Sequence, residues 1–227
     1  MDYVKKDNEY RLDLTSEKVK NIISDAILTG QFKPGDRVVE TQWAKKIGVS
    51  QSPVREAMKE LEAKGLIEIR PYKGALVKRI KKTDMIDAYC NRIALQMLAF
   101  YYAIEMITEE QTQQLEAQLI EMREDLLSGN SDAFIENAYQ LLRTFLSISQ
   151  NELLIKIWEQ CKFREYTKIT VANTDNYLEE VFNRYSTVLA ALKKKDLDAG
   201  KKIAEECLQS PQFGIGASIE LNREKTI

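Results

Sequence analysis

The sequence predicts a mostly α-helical protein of two domains, and the positions of its helix-breaking residues and charges carry this prediction. The chain has 227 residues, which is enough to bury one large core or two smaller ones. Three of its four prolines precede Ala75, and from Ala75 to Ser210 there is no proline and the only glycines are Gly129 and Gly200. A long stretch almost without breakers favours helix throughout.

The charged residues are also unevenly distributed between the two parts of the chain. Residues 1–82 hold 18 basic and 12 acidic residues, a net charge of +6, whereas residues 83–227 hold 15 basic and 23 acidic residues, a net charge of −8. We therefore place the boundary near the segment KRIKKTD and predict one domain over residues 1–80 and another over 81–227. The positive balance of the first domain favours a polyanionic partner.

Composition excludes several classes of protein. No apolar run approaches the ~18 residues that a membrane span requires, and the charged first residues lack the apolar stretch of a signal peptide, so a cytoplasmic location without a membrane partner is expected. The three cysteines are widely spaced, which argues against disulfides and a zinc knuckle. The chain has no histidine, the commonest acid–base group and transition-metal ligand.

The sequence of the first domain predicts three helices followed by a β-hairpin. Apolar residues at helical spacing predict a helix over 16–29. After the KPGD turn, a second short helix is expected over 40–47, ending at Gly48. Ser50 is the expected cap of a third helix, with Pro53 in its first turn and Gly65 past its end. The segment LIEIRPYKGALVKRI then alternates β-forming residues around a turn. This order predicts a winged helix-turn-helix with a small β-hairpin wing.

The third helix carries a polar face. Gln51 and Arg55 are four residues apart and share that face, with Ser52 and Lys59 beside it. A helix that enters the DNA major groove by its N-terminal end needs small polar groups for close approach and long donors for base edges. This pattern indicates a DNA-reading helix.

The ordered motifs closely resemble the DNA-binding domain of the GntR family of bacterial transcription regulators. The resemblance covers about residues 15–80, and its core has the form VSxxPVREAxxxLxxxGL. It implies that Ser50, Ser52 and Arg55 contact an operator, with Lys73 and Gly74 at the wing tip.

Two positions depart from the family pattern. Arginine is frequent where this chain has Thr41 and Gln51. Threonine can still bond a phosphate, and glutamine can read adenine through two hydrogen bonds, so a shifted base preference is expected.

The second domain is predicted as an all-α six-helix bundle. From the residues alone its role would be that of a dimerisation body. The expected helices span residues 84–106, 109–128, 132–149, 152–172, 177–194 and 196–209. Thr108 with Gln111 is the expected capping box of the second of these helices, and Ser131 is the expected cap of the third. The winged helix followed by such a bundle, with the fragments CNRIALQMLA and SISQNELL, resembles the FadR subfamily, whose second half is an FCD domain that binds a small effector.

Many FCD domains hold a divalent metal with one aspartate and three histidines. In this chain the corresponding positions are Ala138, Leu142, Tyr185 and Cys207, none of which supplies the expected ligand. The sequence therefore predicts no metal and no other cofactor. An effector, possibly an organic acid, would then need arginine or hydroxyl donors.

Candidate effector-binding residues follow from that need. Arg92 matches an arginine of the family pattern, and Gln96 replaces a glutamate of that pattern. The full candidate set is Arg92, Gln96, Tyr139, Arg143, Trp158, Arg164 and Tyr185, with Trp158 as an apolar wall.

Three functions are weighed. The leading one is a homodimeric transcription regulator that acts as a repressor. Its affinity for a short inverted-repeat operator would change when an effector binds. An enzyme fused to a DNA-binding module is disfavoured by the lack of histidine, of a phosphate-binding loop and of a nucleophile motif. The remaining alternative is an architectural DNA-binding dimer whose helical domain has no ligand.

Overall fold

The computed structural model describes residues 15–70, 74–172, 174–210, 213–215 and 217. The chain divides into two compact units, Met1–Ile80 and Lys81–Ile227. Among the residues described, no helix is both long and apolar enough to cross a membrane.

The first unit is a winged helix-turn-helix, as predicted. Its elements are α1 (Ser16–Leu28), β1 (Arg37–Val38), α2 (Glu40–Ile47), α3 (Gln51–Ala63), β2 (Ile67–Arg70) and β3 (Gly74–Val77). The strands form an antiparallel sheet in the order β1-β3-β2, with Ile67 opposite Val77 and Arg37 opposite Leu76. The short strand β1 was not predicted, because two residues are too few to show the alternation of apolar and polar side chains that marks a strand.

Local signals explain why these elements begin and end where they do. The Thr15 hydroxyl accepts from the Lys18 backbone N–H at 3.4 Å and caps α1. Gly48 ends α2 at φ +81°, a left-handed conformation that glycine adopts without strain. Ser50 occupies the N-cap position of α3, but its side chain makes no capping hydrogen bond. The expected capping role of this hydroxyl is therefore not seen.

Helices are the only regular elements among the described residues of the second unit. Its helices are α4 (Lys82–Met106), α5 (Glu109–Ser128), α6 (Ser131–Ser147), α7 (Glu152–Glu159), α8 (Phe163–Val171), α9 (Tyr177–Lys193) and α10 (Leu197–Leu208). The Thr108–Gln111 capping box predicted for α5 is present. The α6 cap is Asn130, one residue before the predicted Ser131.

The helix predicted over 152–172 is two helices, so the described bundle has seven helices rather than six. The chain turns between Glu159 and Phe163, where Lys162 adopts φ +51°. Trp158 and Phe163 are both buried, and their rings stack with centroids 6.0 Å apart. Two short helices separated by a turn place both aromatic rings in the core.

Candidate nucleic-acid interface and ligand cavity

Helix α3 has one buried face and one polar, exposed face. Val54, Ala57 and Leu61 are fully buried in the core of the first unit. The predicted reading residues Ser50, Gln51, Ser52, Arg55 and Lys59 are all exposed, as is Thr41 at the start of α2. The helical period therefore places the polar groups on the side away from the core, where a duplex could approach them.

Of the two predicted wing residues, only one can be placed. Gly74 begins β3, is exposed and has φ +76°, which favours glycine at this position. Lys73 lies outside the described residues, and its role stays a prediction.

Arg55 is held by a carboxylate that the sequence analysis did not identify. Its Nη2 donates to Glu40 Oε1 at 2.7 Å and its Nε donates to Glu40 Oε2 at 3.2 Å. These hydrogen bonds raise the pKa of the Arg55 guanidinium above its ordinary value. The Arg55 side chain nevertheless remains 61% exposed, so the pair orients the guanidinium on the surface of α3.

We expect Glu40→Gln to reduce discrimination between operator and unrelated DNA by a few-fold. The variant removes the carboxylate that orients Arg55, and it also removes a negative charge that would oppose non-specific phosphate contacts. The measurement is the ratio of the two affinities at fixed salt concentration. Glu56→Gln, a change of the same charge at an exposed position of α3, is the control. An unaltered ratio in Glu40→Gln would show that Arg55 needs no orienting carboxylate.

The second unit contains a cavity of about 60 Å³ between α4, α5, α6, α9 and α10. Most of its lining is aliphatic or aromatic, and the polar side chains on it are Gln96, Arg184 and Tyr185. Its lining residues are Ile93, Gln96, Met97, Phe100, Leu115, Leu141, Leu142, Phe145, Arg184, Tyr185, Val188, Leu189, Leu192, Gly200, Ile203, Ala204 and Cys207. This space is the candidate ligand site.

Only part of the predicted effector set lies on this cavity. Gln96 and Tyr185 line it. Arg92 instead lines a separate, smaller cavity of about 10 Å³. Its guanidinium lies 4.8 Å from the centroid of the Phe163 ring. Arg92 Nε is buried and has no hydrogen-bond partner among the described residues.

The other four candidates lie elsewhere. Trp158 is fully buried and packs against Tyr139 and Phe163, so it belongs to the core and does not line the cavity. The Arg143 guanidinium and the Tyr139 hydroxyl each lie 3.5 Å from Glu159 Oε1.

Arg164 is the last of these four, and it also has a partner away from the cavity. It makes two 2.6 Å hydrogen bonds to Glu136, which hold the pKa of that carboxyl below its usual range. The sequence could not show these partners, because they come from other helices.

Arg184 is the charged residue among the described residues that line the cavity, and the sequence did not point to it. It precedes Tyr185 on α9 and lines the cavity, yet no motif points to it. A cation in a run of helix-forming residues ordinarily predicts a solvated side chain, so only the packing of α9 against its neighbours shows where it faces.

The four positions that the resemblance to FCD domains assigns to metal ligands are buried, and the side chains at these positions do not fit a metal ion. Ala138 and Leu142 have no ligand atom. Burial raises the pKa of the Tyr185 phenol, so that it is neutral and a poor ligand near neutral pH. Cys207 alone cannot hold an ion that wants about four ligands. Across the described parts of the chain, no three Cys, Asp or Glu side chains group as a metal site would.

We expect protein purified without chelator to carry no stoichiometric transition metal, and EDTA to leave its melting temperature and DNA binding unchanged. The reason is the donor set just described, which offers one thiol and one neutral phenol. Elemental analysis and melting curves with and without EDTA make the measurement. Close to one metal per chain would contradict the expectation.

Comparison with known protein families gives two matches that together span most of the chain. The family described as bacterial regulatory proteins, gntR family, matches residues 15–77. The FCD domain matches residues 87–210.

Known relatives and structures agree with these matches. The chain is 32% identical over 190 residues, 80% of this chain and 82% of that protein, to the uncharacterized HTH-type transcriptional regulator YdhC of Bacillus subtilis. It is 26% identical over 181 residues, 80% of each chain, to a probable D-xylose utilization operon transcriptional repressor of Paenarthrobacter nicotinovorans. The structure of E. coli McbR/YncC shares the fold, with a TM-score of 0.64, 22% identity and coverage of 91% of this chain and 98% of that chain.

Proposed function

The chain belongs to the GntR family of bacterial regulatory proteins and carries an FCD domain, and from this premise we propose that it is a ligand-responsive repressor. In this proposal a homodimer binds a short inverted-repeat operator through α3, and a small effector in the helical domain changes the affinity for DNA. Membership in the FadR subfamily is part of the same proposal. Because such a regulator must reach the bacterial chromosome, the proposed location is the cytoplasm.

The observation that carries the DNA-binding part is the exposed polar face of α3. Its small side chains, Ser50 and Ser52, permit close approach to base edges, and Gln51 and Arg55 supply long donors on the same side. The exposed Thr41, Lys45 and Lys46 on α2 supply groups that suit phosphate. Gly74 allows the wing backbone to approach the duplex.

An exposed apolar face of helix α4 supports the proposal of a homodimer. Leu98, Tyr101, Tyr102 and Met106 recur at helical spacing and are each 39–44% exposed. A run of large apolar groups on one helix face is typical of a surface that a partner covers, and two-fold dimers are the commonest soluble assemblies. A second copy of the chain is the proposed partner, because an inverted repeat requires two reading helices.

Regulation rather than catalysis is proposed for the helical domain. The chain has no histidine, and the relatives it matches are transcriptional regulators. The name of the Paenarthrobacter nicotinovorans relative supports repression as the direction of control.

The experiment is a melting screen of the purified protein against small metabolites, followed by DNA binding with each compound that stabilises it. A ligand that binds only the folded state raises the melting temperature. We expect at least one such compound to change the affinity for operator DNA. A protein that binds DNA specifically while no compound alters either property would instead be an architectural binder.

A further inference from the structure

The small cavity on which Arg92 lies is separate from the candidate ligand site. It measures about 10 Å³, and among the described residues it shares no lining side chain with the larger cavity. Its walls come from α4, α8, the first residue of α9 and Phe213. Four of the residues on it are aromatic, namely Tyr89, Tyr166, Tyr177 and Phe213. A space of this size has room for one water-sized atom or ion.

Arg92 is the charged side chain among the described lining residues of this cavity. It is 6% exposed, its Nε has no hydrogen-bond partner, and no carboxylate pairs with it in the part of the chain that the structure describes. The Phe163 and Tyr89 ring centroids lie 4.8 Å and 5.4 Å from the guanidinium carbon, but a ring carries no full negative charge. A buried cation without a counter-ion is costly, so an anion bound beside it would be stabilising.

A hydroxyl on the same cavity also lacks a partner. Thr167 is 3% exposed, and its Oγ1 makes no hydrogen bond within the described residues. Thr170, which lines the cavity as well, instead donates to the Tyr166 carbonyl oxygen at 2.8 Å. Hydroxyl and guanidinium groups both donate hydrogen bonds. Two unused donors and one unbalanced positive charge therefore line one small space.

The size and composition of the cavity narrow the class of ligand. A volume of about 10 Å³ has no room for a carboxylate or a phosphate group. A water molecule would fit, but it would leave the charge of Arg92 unbalanced. Aromatic rings carry a partial positive charge at their edges, so a wall of rings does not repel an anion as carboxylates would. A monatomic anion meets all of these conditions.

We propose that this cavity is a structural site for one halide ion, with chloride as the natural occupant. The Arg92 guanidinium supplies the opposite charge and donates through Nε, and Thr167 donates through Oγ1. Because Arg92 belongs to α4 and Thr167 to α8, the ion fastens these two helices to each other. The site does not depend on the proposed effector, since the two cavities have no described lining residue in common.

The first test locates the ion. Crystals of the full chain are grown in sodium bromide, and diffraction data collected at the bromine absorption edge show bound bromide directly through its anomalous scattering. We expect an anomalous peak between Arg92 Nε and Thr167 Oγ1. A water molecule at that position, or no density there, would overturn the proposal, even if bromide ions were bound elsewhere on the protein.

The second test compares the melting temperature of the wild-type protein in sodium chloride and in sodium fluoride at equal concentration. Both anions are single atoms with one charge, but fluoride is held more strongly by water and loses more on entering an aromatic cavity. We expect melting about 3–5 °C higher in chloride when chloride is in about tenfold excess over its Kd. Strongly hydrated anions ordinarily stabilise folded proteins more, so equal values, or a higher value in fluoride, would contradict the site.

The variant Thr167→Val keeps the shape of the side chain and removes the unused hydroxyl. We expect it to lower the difference in melting temperature between chloride and fluoride to about half or less. Thr170→Val is the matched control, because this hydroxyl lines the same cavity but already has a partner. The control should keep the full difference even though it loses one hydrogen bond. An equal difference in both variants would show that the Thr167 hydroxyl does not hold an ion.

The variant Arg92→Gln removes the positive charge and should abolish the difference between chloride and fluoride. Arg143→Gln is the charge-matched control, because Arg143 is 54% exposed, pairs with Glu159 and does not line the cavity. A chloride effect that persists undiminished in Arg92→Gln would overturn the site. If Arg92→Gln does not fold, the bromide position in the wild-type protein and the comparison of the two threonine variants decide the question.

Discussion

Replacing Arg55 with alanine is expected to weaken operator binding about tenfold to a hundredfold. Arg55 is exposed on the polar face of α3, and Glu40 holds its guanidinium through two hydrogen bonds. A planar guanidinium fixed in this way can donate twice to a guanine or to a phosphate. The measurement is a titration of operator duplex, followed by fluorescence anisotropy at fixed salt concentration, since affinity for DNA depends steeply on salt.

The control for Arg55→Ala is Arg143→Ala, which removes the same charge from the helical domain. Arg143 is 54% exposed and pairs with Glu159, so its loss should leave DNA binding unchanged. The melting temperatures of both variants should stay close to that of the wild-type protein, because neither side chain is buried. If the two variants bind the operator equally well, Arg55 is not part of the reading face.

Replacing Trp158 with alanine is expected to lower the free energy of unfolding of the helical domain by about 3–5 kcal/mol. Trp158 is fully buried and lies against the rings of Tyr139 and Phe163, with centroid distances of 5.4 Å and 6.0 Å. Alanine would leave a large void where three aromatic rings meet. Chemical denaturation monitored through the helical signal measures the loss.

The control for this change comes from the same helix. Leu153 on α7 is 67% exposed, so Leu153→Ala should change stability by less than about 0.5 kcal/mol. Trp158→Phe should lose less than the alanine variant, because it keeps an aromatic ring and removes an Nε1 group that has no partner among the described residues. A Trp158→Ala protein as stable as Leu153→Ala would show that this side chain is not a core residue.

The parts of the fold that depend on local sequence could be predicted. The capping box at Thr108 and Gln111 and the glycine at the end of α2 each act within a few residues, so they are visible in the sequence. The polar face of α3 follows from helical period alone. The break between α7 and α8 was not visible, because no proline or glycine marks it and the burial of Trp158 and Phe163 is set by other helices.

The candidate sites depend more on tertiary structure. The partner of Arg55 lies 15 residues earlier on another helix, and no local rule joins the two. Arg143 and Arg164 looked like ligand donors because the sequence does not show that Glu159 and Glu136 already pair with them. Arg184 was overlooked because a cation in a run of helix-forming residues is ordinarily solvated, and only the packing of α9 against its neighbours places Arg184 on the cavity.

Selection of bound sequences from a random duplex library tests the central claim most directly. The wild-type protein, as full chain, is mixed with the library at near-physiological salt, and the retained duplexes are sequenced after several rounds. We predict enrichment of one short inverted repeat, and loss of that enrichment in Arg55→Ala. Retention of DNA with no enriched sequence, or an enriched sequence that Arg55→Ala selects equally well, would contradict a regulator that reads its operator through α3.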